Sequence, residues 1–133
     1  MAKEQVYVES GQSHGQGPDA IKAAGLIFLA AVRGVNPATG KCDTEDVGEQ
    51  TRFAMENVKA ALAAAGATMD DVVRVAIYMI DMNNRAPFNK VYREYFTEDT
   101  LPARFAVQTD AVGGTDLSKF TLEVIAADPN FGK

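Results

Sequence analysis

The stretch running from Asp71 to Asp81, DVVRVAIYMID (71–81), is apolar on both of its alternating sides apart from Arg74. Side chains alternate across a strand, so a run with no polar side reads as a central strand covered twice, by helices on one side and by something else on the other. Its flanks supply the helices. Upstream, Asp43 and Thr44 offer capping oxygens ahead of Val47, Ala54, Val58, Ala61, Leu62 and Ala65 at helical spacing, and Gly66 is placed to end that helix. Downstream, Asn83 or Asn84 is read as the cap of a second helix, with Pro87 in its first turn and a buried stripe of Phe88, Val91, Tyr92, Tyr95 and Phe96.

Further out the pattern returns to strands. EQVYVE (4–9) alternates polar and apolar residues, LIFLAAVRGV (26–35) reads as a buried strand, and NPATGK (36–41) as a tight turn into a short second one. ARFAVQ (103–108) and KFTLEVIAA (119–127) close the chain as strands joined by the loop TDAVGGTDLS (109–118). The expected architecture is α+β: one domain over residues 1–133, with a mixed sheet and both helices on one face. The other face would be greasy in water, which predicts a closed homo-oligomer with sites in the clefts between subunits.

Composition narrows the function. At 47% apolar and 23% charged the chain should fold unaided, and no run approaches the roughly 18 apolar residues of a membrane span. With no apolar leader in MAKEQVYVES, cytoplasm is the expected compartment, and Cys42 alone forms no intrachain disulfide. One histidine and one cysteine leave no His- and Cys-rich metal site, so no metal is expected. A formal charge of −5 disfavours binding to nucleic acid. The glycine-bearing loop SGQSHGQGPD (10–19) lacks the Gly-Lys-Ser/Thr ending of a phosphate cradle.

Within TLPARFAVQ (100–108) a permanent charge, Arg104, sits in the run that should form a strand. It shares a strand face with Ala106 and Gln108, whose small neighbour leaves room for a planar guanidinium to grip a small carboxylic acid by two donors. A structural ion pair, for example with Glu123, is the other reading of the same residue.

The blocks VNPATGK, QTRFAMENVKAALAAAGATMDDVVRVAIYMIDMNN, FNKVYREYF, LPARFAVQ and LEVIAAD, in that order, resemble the reactive-intermediate deaminase (Rid, YjgF-type) family over nearly the whole chain. The resemblance implies a chorismate-mutase-like fold, a homotrimer with three sites at subunit interfaces, and no cofactor. It further implies hydrolysis of enamines and imines such as 2-aminoacrylate to a 2-oxo acid and ammonia. Arg104 matches the arginine that grips the substrate carboxylate, and Asn89 an asparagine near the site.

Departures from the family pattern cluster around that site. The family commonly ends with two glutamates one residue apart, the first assigned to the attacking water; here that position is Thr121, and only Glu123 is retained. Threonine is no general base near neutral pH. A Ser-Gly-Gln is replaced by Ala30-Ala31-Val32, a tyrosine after Gly-Pro by Asp19, and a cysteine by Ala106. Candidates to refill the pocket are Glu123, which shares a strand face with Thr121, and His14, which titrates near neutrality. Asp19 and Arg33 are read either as contacts to a second polar group of a larger substrate or as surface charges. Two functions follow: a hydrolase for a specialised imino or enamino acid, or a non-catalytic trimer that captures small carboxylates.

Overall fold

In the computed structural model, which describes residues 2–8, 17–113 and 116–133, six strands form one sheet. They are β1 (Glu4–Val6), β2 (Ala20–Ala23), β3 (Leu26–Leu29), β4 (Val72–Met79), β5 (Ala103–Gln108) and β6 (Phe120–Ala127), in the order β1-β2-β3-β6-β4-β5. Every pairing is antiparallel except β4 with β5, which are parallel and joined through a helix. The sheet is therefore mixed, as expected.

Helices α1 (Val47–Ala64) and α2 (Arg85–Tyr92) pack beside each other on one face. The pleat explains the burial. Val75, Ile77 and Met79 of β4 and Phe120, Leu122 and Val124 of β6 alternate onto the helix side, where they meet Ala54, Met55, Val58 and Leu62 of α1 and Phe88 and Tyr92 of α2. At the start of α1, Asp46 rather than Asp43 or Thr44 is the cap, its carboxylate accepting from the Glu49 N–H at 2.9 Å. At the end, Gly66 adopts a φ of 84°. Before α2, Asp81 caps a short 3-10 turn, and Asn84 precedes the helix without a side-chain capping bond.

Larger differences from the sequence reading lie in the first half of the sheet, and the short strand expected after NPATGK is only a single bridge, Asn36 to Lys41. Strand β2 lies between the loop read over 10–19 and the strand read from 26, in a stretch given no reading, and it pairs with both β1 and β3. Its two-residue hairpin to β3 uses Ala24 at φ 55° and Gly25 at φ 82°, and alanine is not the asparagine or aspartate that usually announces such a turn. The run over residues 26–35 is not one strand either. Phe28 pairs with Ile125 but Val32 pairs with Leu122, so one extra residue is inserted on the first strand, a bulge at Ala30-Ala31.

The opposite face of the sheet carries Phe28, Tyr78, Phe105, Val107 and Ile125, with Phe105 and Val107 exposed. Arg74 lies over the Phe105 ring at 5.0 Å. The doubly apolar β4 thus has one cover within the chain. Among the described residues, no helix is long and apolar enough to cross a membrane.

A polar clamp ties the ends of the structure together. Arg33 Nη1 donates to both carboxylate oxygens of Asp116 at 2.9 and 2.8 Å and to Ser118 Oγ at 2.7 Å, while Asp116 also accepts from the Cys42 and Ser118 backbone N–H groups. Burial alone would push Asp116 up, but hydrogen bonds from Ser118, Arg33 and the two amides hold it well below the usual carboxylate range. A lowered folded pKa contributes stability above the unfolded value of 3.8 and loses it as pH falls toward the folded one. Asp116→Asn should therefore cost about 2 kcal/mol at pH 7, with the gap to wild type intact at pH 5 and shrinking only below about pH 4, as read by urea melts. A gap that closed between pH 7 and 5 would contradict this assignment.

Candidate functional site

Arg104 projects from β5 onto the helix face, together with Ala106 and Gln108. It does not meet Glu123. The pleat sends Glu123 and Thr121 to the opposite face of β6, so the ion pair named as the structural alternative does not form. Its guanidinium lies instead over the rings of Tyr92 at 4.9 Å and Phe88 at 6.0 Å.

These two rings are the floor of the site. Residues 88 and 92 are one turn apart on α2, so their side chains stack at 5.5 Å and 24°. Phe120 meets Phe88 edge-on at 5.0 Å, and Phe96 meets Tyr92 at 5.0 Å, which fixes the floor from two sides. Among the described residues Arg104 forms no ion pair, and it is only half-buried. A cation over a ring face gains roughly 1 to 2 kcal/mol when partly desolvated, enough to hold the guanidinium in place with its in-plane donors left over.

The surroundings are polar and incompletely satisfied. Among the described residues Asn89 Oδ1 is buried without a hydrogen-bond partner, and Tyr92 Oη, buried three residues away on the same side of α2, has only the Arg104 guanidinium to turn to. Burial pushes the Tyr92 phenol pKa up, and the positive charge of Arg104, together with a side-chain hydrogen bond from it, opposes that rise. Natural folds rarely leave a buried polar atom such as Asn89 Oδ1 without a partner. Arg104 and Ala106 share the helix face of β5, and Asn89 stands one turn before Tyr92 on α2, whereas Tyr92 itself was legible only as part of a buried stripe. Its spacing of four from Phe88 was the available signal.

The other expected site residues fall elsewhere. Thr121 Oγ1 donates to the Val32 carbonyl at 3.3 Å, and exposed Glu123 stands two residues further along the same face. Arg33 is held by Asp116, and Asp19 Oδ2 accepts from the Val8 N–H at 2.7 Å. Ala31, Asp19 and Arg33 border a separate cavity of about 500 Å3 between α1 and the bulged strand. His14 lies outside the described residues.

A mixed six-stranded sheet with two helices on one side and an arginine laid over aromatic rings on its parallel edge strand defines an α+β protein of the YjgF-type fold class. The chain belongs to the Rid (YjgF-type) family, its residues 12–127 matching the family described as endoribonuclease L-PSP. It is 43% identical to a RutC family protein of Pyrococcus abyssi over 109 residues, 81% of this chain and 85% of that one. It is 38% identical to the chloroplastic Reactive Intermediate Deaminase A of Arabidopsis thaliana over 93 residues, 70% of this chain and 49% of the plant protein. Among solved structures, Escherichia coli TdcF with bound serine superposes with a TM-score of 0.81 at 29% identity, covering 93% of this chain and 98% of that one.

Proposed function

We propose that the protein is an imine or enamine deaminase that hydrolyses a reactive 2-imino or 2-enamino acid to a 2-oxo acid and ammonia, with Arg104 as the carboxylate anchor. The observation that carries this reading is the state of Arg104, half-buried on an aromatic floor with no carboxylate partner among the described residues. Such a fork is complementary to a planar carboxylate, and the serine bound to TdcF is a compound carrying one. The deaminase name of the plant relative supplies the reaction class.

Water must attack the carbon of the C=N bond while protons move to nitrogen, which calls for a positioned base. The only carboxylate on the Thr121 side of β6 is Glu123, and we assign it that task. Arg104 and Glu123 stand on opposite faces of one sheet, so a site that uses both needs a second copy of the chain. The apolar open face is the surface for that contact, in a trimer of about 43 kDa, three times 14.3 kDa. Light scattering should give that mass at micromolar concentration; a stable monomer would remove the shared site.

A second reading keeps the anchor without the chemistry. It is favoured by the Thr121 hydroxyl, which is committed to the Val32 carbonyl and cannot serve as a base. The two are separated by ammonia release from imino acids generated in situ: hydrolysis above the uncatalysed rate supports the enzyme, and binding of 2-oxo acids without turnover supports the carrier.

A further inference from the structure

A smaller pocket, of about 370 Å3, opens at the far corner of the sheet, where the β2–β3 hairpin meets the residues that follow β6. That volume falls within the range typical of small-molecule sites. The pocket shares no wall residue with the cavity beside α1, and β2 lies four places from β5 in the sheet, about 19 Å at ordinary strand spacing. What binds there is independent of the deaminase reading.

One wall is an aromatic ring held in water. Phe131 is 64% exposed, yet one side of its ring is laid on Gly25, where an added Cβ would stand 3.1 Å from Cδ2. The segment that carries it is tied down as well: the Phe131 N–H donates to the Asp128 carbonyl at 3.2 Å, and Asn130 Nδ2 donates to the Gly66 carbonyl at the end of α1, also at 3.2 Å. A ring fixed on one side and open on the other offers hydrocarbon to a guest with little further ordering.

The other wall carries charge of both signs. Lys22 is directly opposite Glu4 in the β1–β2 register, so the two side chains stand on one face. Lys22 is only 19% exposed, and its ion pair to Asp128 Oδ2 is 3.5 Å long, more than the roughly 3 Å of a good hydrogen bond, so the ammonium keeps donors for a ligand. Asp128 Oδ1 already accepts from the Asn130 N–H at 2.9 Å, whereas Glu4 is exposed and forms no ion pair among the described residues. With Lys3 also on the wall, positive and negative groups balance, which favours neither a plain anion nor a plain cation. We propose that this corner binds a free α-amino acid with an apolar side chain, its carboxylate on Lys22, its ammonium on Glu4 and its side chain on the open side of Phe131.

The test is calorimetry on the full chain with four probes: phenylalanine; glycine, which lacks the side chain; 3-phenylpropionate, which lacks the ammonium; and phenethylamine, which lacks the carboxylate. Wild type should bind phenylalanine. Because Arg104 takes small carboxylates on the proposed reading, selectivity is read in Arg104→Ala, which should still bind phenylalanine, at least about tenfold more tightly than each of the other three. Phe131→Ala and Glu4→Gln alter exposed side chains, so each should weaken phenylalanine by at least about tenfold with thermal melts unchanged. Wild type silent toward phenylalanine overturns the proposal, as does equal or tighter binding of any other probe by Arg104→Ala, or affinity that survives either substitution. Loss of phenylalanine in Arg104→Ala also overturns it, since the amino acid was then held by the anchor, and that result leaves the anchor standing.

Discussion

Replacing Arg104 with alanine is expected to weaken 2-oxobutyrate and related carboxylates by about 2 to 5 kcal/mol, roughly 30- to 5,000-fold, with the fold intact. The size follows from the floor. Because Tyr92 and Phe88, rather than a carboxylate, hold the guanidinium, there is no internal anion that a ligand must displace before its own carboxylate can bind. Arg104→Lys should recover only part of the loss, since an ammonium neither lies flat on the rings nor makes the two-point grip. Stability should fall by no more than the roughly 1 to 2 kcal/mol of the lost ring contacts, because no ion pair of Arg104 is broken among the described residues. Titration calorimetry gives the affinities and thermal melts the control; unchanged affinity in the alanine variant would return Arg104 to a purely structural role.

The central strand, the two helices and the arginine were legible because each rests on a local pattern. DVVRVAIYMID is apolar on both sides wherever its partners lie, and the helical spacing of Val58, Ala61 and Leu62 needs no tertiary knowledge. What escaped depends on pairing. Strand β2 is four residues, Ala20–Ala23, too short to show alternation, and its Ala24-Gly25 turn carries only half of the usual signal. The bulge at Ala30-Ala31 appears only when β3 is registered against β6, since nothing in Leu-Ala-Ala-Val marks where the count slips.

The candidate site was legible in the same divided way. Alternation along β5 correctly grouped Arg104 with Ala106 and Gln108, and along β6 grouped Thr121 with Glu123. It gave no relation between the two strands. That Arg104 and Glu123 point to opposite faces follows from the β4–β5 and β4–β6 registers, in which Val75 pairs with Arg104 but Ala76 with Glu123. Neighbours on a strand point oppositely, so the two charges are separated by the sheet itself. The resemblance pointed to the region, and the register decides what one copy can hold there.

That separation also governs what Thr121 and Glu123 can do. If Glu123 activates the water, Glu123→Gln should lower ammonia release by about 10²-fold, the lower end of general-base contributions, while affinity for 2-oxo acids, which depends on Arg104, stays close to wild type. Glu123 is suited to the task by position: it is exposed, forms no ion pair among the described residues, and lies about 7 Å along the strand from Thr121. Thr121→Glu should then be neutral or harmful. The new carboxylate would give up the hydrogen bond to Val32 and stand two residues from Glu123 on the same face, where like charges raise each other's pKa and favour the protonated form that cannot accept from water. The opposite pattern, a gain of about 10²-fold from Thr121→Glu with Glu123→Gln silent, would mean that the base was lost and never replaced. Assays across short, branched, aromatic and dicarboxylate imino acids decide between them, because a base that has moved along the strand should work best on a substrate that has moved with it.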